Sequence, residues 1–104
     1  MPVPPKSVQN NAKKALEARE QATPSKRAMT RVGLARANQL AKGEDVSINT
    51  LRRMVNYLSR ARPNYDRAKA KGLAAKDSPA IQAYLGWGGP AALTWARSQL
   101  NKSE

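Results

Sequence analysis

The stretch Val46 to Arg62, VSINTLRRMVNYLSRAR, admits one regular structure. Ile48, Leu51, Val55 and Leu58 recur at spacings of three and four, which places them on one side of an α-helix of about four turns. Asn49, Arg52, Arg53, Asn56 and Arg60 fall on the other side. The first face needs a core to cover it, and the second suits a polyanion. No segment of the chain alternates in the strand manner for more than three residues, so the cover must itself be helical. The expected fold is all-α: a compact bundle of four to five short helices, with a helix-turn-helix-like central pair.

The other helices follow from their punctuation. Residues 1–6 hold three prolines and form an extended tail. Ser7 caps a helix that runs to Gln21 along the stripe Val8, Ala12, Ala15 and Leu16. Thr23, Pro24 and Ser25 break it. A second helix spans Met29 to Lys42, with Met29, Val32, Gly33, Ala37, Leu40 and Ala41 as its apolar arc. Arg36 falls inside that arc. It either snorkels at the edge of the core or is held there by a buried acceptor or aimed into a groove. Gly43 ends the helix, Glu44 and Asp45 follow, and Ser47 caps the next one. Pro63 should stop that helix at Arg62. Residues 64–76 read as a short separate helix. Ser78-Pro79 starts another, Ala80 to Gly86. After Gly-Trp-Gly-Gly (86–89), Pro90 opens a last helix that ends near Leu100, with Ala92, Trp95 and Ala96 on one face. Residues 7–100 form one domain, and the tail 101–104 frays. With no phenylalanine, the core is thin and the stability modest.

Charge narrows the possible partners. Nineteen Lys and Arg stand against seven Asp and Glu, a net charge of +12. Residues 1–52 carry ten basic and four acidic groups and residues 53–104 carry nine and three, so each half contributes +6. The whole body is cationic, which favours nucleic acid first, then an acidic protein surface. Cysteine and histidine are absent, which removes disulfides, Cys/His metal sites, thiol nucleophiles and imidazole bases. No cofactor, no metal and no enzymatic activity are expected, because no acid, base or metal set is assembled. No apolar run is long enough to span a bilayer, and the N-terminus is not of the signal-peptide kind. A soluble protein, not secreted and not bound to membrane, is expected.

LAKGEDVSINTLRRM, residues 40–54, resembles a helix-turn-helix. There the second helix enters the major groove, so Asn49, Arg52, Arg53 and Asn56 would read base edges and Lys42, Arg60 and Arg62 would hold phosphates. Arg36, Arg67 and Lys69 would extend the basic surface. Gly43 sits three residues before Val46, earlier than the motif usually has it, and two acids lie between. The plainer alternative is a helical hairpin whose arginines are merely solvated. The glycines around Trp87 permit a tight reversal with the ring plugging the core. An exposed Trp87 would instead suggest a stacking or partner-binding platform.

The order of residues also resembles a small helical module of tailed phages. The resemblance is carried by Val-Gly-x-Ala-Arg-Ala (32–37), Val-Ser (46–47), Thr50, Arg-Arg-Met (52–54), Tyr57, Leu-Gly-Trp-Gly-Gly (85–89) and Trp-Ala (95–96). It covers most of residues 8–97. The chain departs from the pattern at TPSKRAMT, where the family has a glycine-rich loop, and after Arg-Arg-Met. The resemblance implies a phage protein, in a virion or in the host-cell cytoplasm, with some association to head morphogenesis. It implies no particular chemistry.

Two functions follow as expectations. The first is nucleic-acid binding, DNA before RNA, through the Arg/Asn-rich helix face. The alternative is a protein–protein adaptor, either a virion or head-associated component or an inhibitor of an acidic host protein, with Trp87 and Trp95 as its anchors. A buried Trp87 ring favours the first and an exposed ring the second.

Overall fold

The structure, a computed structural model, describes residues 2–103, without the side chain of Ser103. Five α-helices carry the fold: α1 (Lys6–Gln21), α2 (Arg31–Ala41), α3 (Ile48–Ala70), α4 (Pro79–Gly86) and α5 (Gly89–Ser103). Short 3-10 turns at Pro24–Lys26 and Ala75–Asp77 fill two of the connections. The protein is an all-α bundle.

The shortest helix holds the centre. α4 packs against α1, α2, α3 and α5. α1 lies on α2 and α4, while α3 lies on α5 and α4. The helix-turn-helix order is therefore present in α2 and α3, yet their backbones scarcely meet. The turn after α4 stands between them: Trp87 lies close against Gly33 of α2 and stacks on Tyr57 of α3. The core beneath is aliphatic and tyrosine-based, with Val8, Ala12, Leu40, Val46, Leu51, Met54, Leu58 and Tyr84 fully buried.

α3 differs most from expectation. It does not stop at Arg62 but runs through Pro63 to Ala70, absorbing the separate helix expected over 64–76. Proline interrupts a helix because it lacks an N–H and crowds the preceding turn, at a cost of about 3 kcal/mol. Here Pro63 is exposed on the outer face, so the carbonyl it leaves unbonded, that of Ser59, lies on the solvent side. On the inner side Leu58, Tyr65 and Ala68 remain buried across the interruption. Tyr65 stacks on Tyr84 with ring centroids 4.4 Å apart, and Tyr84 Oη donates to the Leu58 carbonyl at 2.9 Å. Arg62 Nε donates to Asp66 at 3.0 Å across the proline, a partly exposed ion pair. Inner-face packing keeps the helix continuous.

The ends of the helices follow local chemistry. Ser47 caps α3 by accepting from Thr50 N at 3.1 Å, and Ser78 caps α4 by accepting from Ile81 N at 3.3 Å. Gly43 takes φ +73° and closes α2 with paired bonds, Gly43 N to Leu40 O at 3.0 Å and Glu44 N to Gln39 O at 3.2 Å. Ser7 does not cap α1: the helix begins at Lys6, after Pro5, with no side-chain cap. α2 begins at Arg31 rather than Met29, capped by Thr30, and Met29 itself has φ +81°. α5 continues through residues 101–103, where a frayed tail was expected; Met1 and Glu104 lie outside the described residues. Residues 2–5 are extended and docked. Pro4 is buried, Val46 N donates to Pro2 O at 2.9 Å, and Gln9 Nε2 donates to Pro4 O at 2.8 Å.

One buried polar group organises the loops. Gln82 is fully buried in α4. Its Oε1 accepts from Ala28 N at 3.1 Å, and its Nε2 donates to Lys26 O and Ala75 O at 2.9 Å each. A single amide thereby ties both long connections to the central helix.

Candidate nucleic-acid interface

The outer face of α3 is built by its own periodicity. Leu51, Met54 and Leu58 turn into the core, so Asn49, Arg52, Arg53, Asn56 and Arg60 are exposed. Tyr57 lies at the boundary, one turn after Arg53 and nearly one turn before Arg60, and is half-buried. Its ring stacks on Trp87 with centroids 4.9 Å apart and planes 27° apart. From the α2 side, the Arg36 guanidinium carbon sits 5.6 Å from the Trp87 ring centroid, within cation–π range. Arg36, Trp87 and Tyr57 thus join α2 to α3 across their outer edge.

Gln39 fixes Arg36 further. Arg36 Nη1 donates to Gln39 Oε1, and Gln39 Nε2 donates to the Asp45 carbonyl at 2.9 Å. Arg36 is therefore neither free in solvent nor held by a carboxylate. Its Nε is buried with no acceptor. Burial pulls its pKa below the usual guanidinium value, and the nearby charge of Arg53 adds to that shift. Burial also raises the Tyr57 pKa, opposed by the adjacent Arg60 charge. Arg53 is therefore an electrostatic neighbour of Arg36, and Arg60 of Tyr57. Among the described residues the ion pairs are Arg62 with Asp66 and Lys76 with Asp77, so no acid neutralises Arg36, Arg52, Arg53 or Arg60.

The remaining expected site residues are dispersed. At about 100° per residue, Arg62 lies about 180° around α3 from Arg53. It is engaged by Asp66 and close to Tyr84, so it faces away from the stack. Lys69 lies on the same flank as Arg62, exposed. Arg67 shares the Arg60 flank, where Nη2 donates to Asn64 Oδ1. Lys42 caps the end of α2 beside Glu44 and Asp45. Asn49, Arg52 and Asn56 point outward from α3. The α3 N-terminus carries the two acids and is bonded at Val46 to Pro2, which does not suit its entry into a groove. Val32, expected in the apolar arc of α2, is 56% exposed, because α2 turns Gly33, Ala37 and Leu40 inward.

Trp87 is half-buried, intermediate between the two outcomes that would separate the functional readings. Trp95 is half-buried against the core on α5 and makes no ring contact with Trp87. The two tryptophans do not form one patch.

No protein family, curated protein or solved structure compared with the chain matches it. The site therefore rests on its own geometry. Among the described residues no three Asp or Glu gather as metal ligands, and no helix is long and apolar enough to cross a membrane.

Two side chains of this face, Gln39 and Tyr57, were not expected to belong to the site. Gln39 gives no signal, since its role depends on the turn that brings Asp45 back to it. Tyr57 has one: an aromatic ring between Arg53 and Arg60 on a single helical flank.

Proposed function

We propose that the chain binds nucleic acid, DNA before RNA, mainly through backbone phosphates. The observation that carries this reading is the uncompensated cluster of Arg36, Arg53 and Arg60 around the Tyr57–Trp87 stack, with Arg52 beside it. A net charge of +12 raises the attraction at long range. Asn49 and Asn56 lie on the same exposed face and supply hydrogen bonds to phosphate or base edges. Because α2 and α3 are held apart by Trp87, α3 acts as a basic ledge lying along the backbone rather than as a recognition helix inserted by its N-terminus. The adaptor reading would use Trp87 and Trp95 as anchors, but each lies half-covered by its own chain. A phage setting, implied by the resemblance of residues 32–37, 52–54 and 85–89, supplies DNA as an abundant partner.

A salt titration against duplex DNA tests the proposal. Each neutralised phosphate contributes about −0.9 to the slope of log affinity against log salt. Four arginines give a slope of about −3.6, so raising salt from about 50 to about 200 mM should weaken binding roughly a hundredfold. Equal affinity at the two concentrations would refute it.

A further inference from the structure

Among the described residues, the buried side-chain nitrogen left without a hydrogen-bond partner is Arg36 Nε, on this face. Nη1 is committed to Gln39, Nε has no acceptor, and among the described residues Nη2 donates to none. The guanidinium is held by the indole of Trp87, which is itself held by Tyr57, instead of by an acid. Arg53 lies one turn before Tyr57 on α3, so it flanks the stack that carries Arg36, near enough for its like charge to act on Arg36. Two guanidiniums without an anion between them repel, and one anion between them turns that repulsion into two attractions. A phosphodiester fits the pair because it carries one charge over two non-bridging oxygens. It can offer one oxygen to Arg36 Nη2 and the other to the Arg53 fork.

We propose that Arg36 and Arg53 clamp one backbone phosphodiester between them, with the Trp87–Tyr57 stack as the pedestal that orients Arg36. This rests on the nucleic-acid reading and assigns the ligand group: a phosphate, not a base. The Trp87 ring already serves Tyr57 at 4.9 Å and Arg36 at 5.6 Å, so it supports a guanidinium rather than a stacked nucleobase. Arg52 is exposed on α3 and makes no ring or ion-pair contact, so it adds charge only.

The test is fluorescence anisotropy with the full chain and a labelled duplex of about 20 base pairs at about 50 mM salt. Arg36→Lys, Arg53→Lys, their double variant and, as a control outside the proposed interface, Arg27→Lys in the exposed loop before α2 all conserve charge, and circular dichroism checks that each is folded. Arg36 needs a guanidinium to keep Gln39 and Trp87 while presenting Nη2, and Arg53 needs its planar fork, so Arg36→Lys and Arg53→Lys should each weaken binding by about tenfold, against less than about twofold for Arg27→Lys. The double variant should lose less than the product of the two single losses, because both act on one phosphate. Saturating duplex should also shift the tryptophan emission, and that shift should be absent in Trp87→Phe. If the wild type binds with the expected salt slope but the three single variants lose equally little, the clamp is wrong and nucleic-acid binding stands. If the wild type does not bind, both fail. If millimolar inorganic phosphate alone produces the emission shift and displaces the duplex, the ligand is a free anion and the backbone assignment is overturned.

Discussion

Replacing Pro63 with alanine should stabilise the protein. Proline inside a helix costs about 3 kcal/mol, from the missing hydrogen bond and the clash with the preceding turn. At position 63 part of that cost is relieved, because the residue is exposed and water can reach the Ser59 carbonyl. Alanine restores the bond from residue 63 to Ser59 and removes the clash. It disturbs none of the inner-face contacts of Leu58, Tyr65 and Ala68. Against this gain stands the unfolded chain, which loses a stiff residue and gains about 0.4–1 kcal/mol of conformational freedom. The net expectation is a stabilisation of about 1–2 kcal/mol. For a chain of this size that raises the melting temperature by about 5–10 °C. Urea unfolding followed by circular dichroism at 222 nm measures it. The midpoint should rise while the slope stays constant, since the same surface is exposed on unfolding. A variant no more stable than the wild type would mean that α3 is not continuous through residue 63, and the account of Tyr65 and Tyr84 built on that continuity would fall with it.

Gln82→Leu should destabilise by about 3 kcal/mol, because it strips partners from Ala28 N, Lys26 O and Ala75 O at once; thermal unfolding reads the loss, and a change under about 0.5 kcal/mol would refute the amide's role. Alkaline pH should also weaken the fold. Burial raises the pKa of Tyr57, Tyr65 and Tyr84 above the ordinary phenol value, so folding favours their protonated forms. That contribution is complete below the unfolded pKa of about 10 and is lost as pH rises through the folded values. Stability measured by urea unfolding should therefore be flat from neutral pH to about pH 9 and fall beyond it, and Tyr84→Phe should soften the fall.

What the sequence made legible was set by local chemistry. Gly43, Ser47, Ser78 and Pro79 each act within a few residues, and each does in the structure what its type suggests. The apolar period of α3 placed Leu51 and Leu58 inward for the same reason, while Ile48 and Val55 of that stripe are half-buried and Met54 beside it is fully buried. Failures came where a distant contact decides. Pro63 reads as a stop because its effect on the chain is local, whereas the stacking of Tyr65 on Tyr84 is not. Val32 reads as core because its spacing fits, but α2 is narrow in what it buries, and Gly33 takes the inward place so that Trp87 can approach. On the candidate face, Arg53 and Arg60 were legible from the period of α3. Their grouping with Arg36 depends on Trp87 reaching between two helices. Arg62 was grouped with them by sequence proximity, and helical rotation sends it to the opposite flank.

The feature that the sequence concealed is also the one that ties core to surface. Tyr65 stacks on Tyr84 at 4.4 Å, Tyr84 lies 6.5 Å from Tyr57, Tyr57 stacks on Trp87 at 4.9 Å, and Trp87 carries Arg36 at 5.6 Å. The pairs at 4.9 and 6.5 Å fall within the separations at which aromatic rings attract, and the pair at 4.4 Å lies at their near edge. The column starts in the part of α3 beyond Pro63 and ends on α2, so it spans the two helices that the turn 42–47 joins. Had α3 ended at Arg62, Tyr65 would be free to leave Tyr84, and the column would lose its buried end. Rigid support matters here because a guanidinium beside another guanidinium gains nothing by staying there unless an anion arrives. Left to itself Arg36 would swing into solvent, away from Arg53. The indole and Gln39 hold it, so the repulsion is met during folding rather than during binding. On the proposed reading, a polyanion would find the positive charges already assembled.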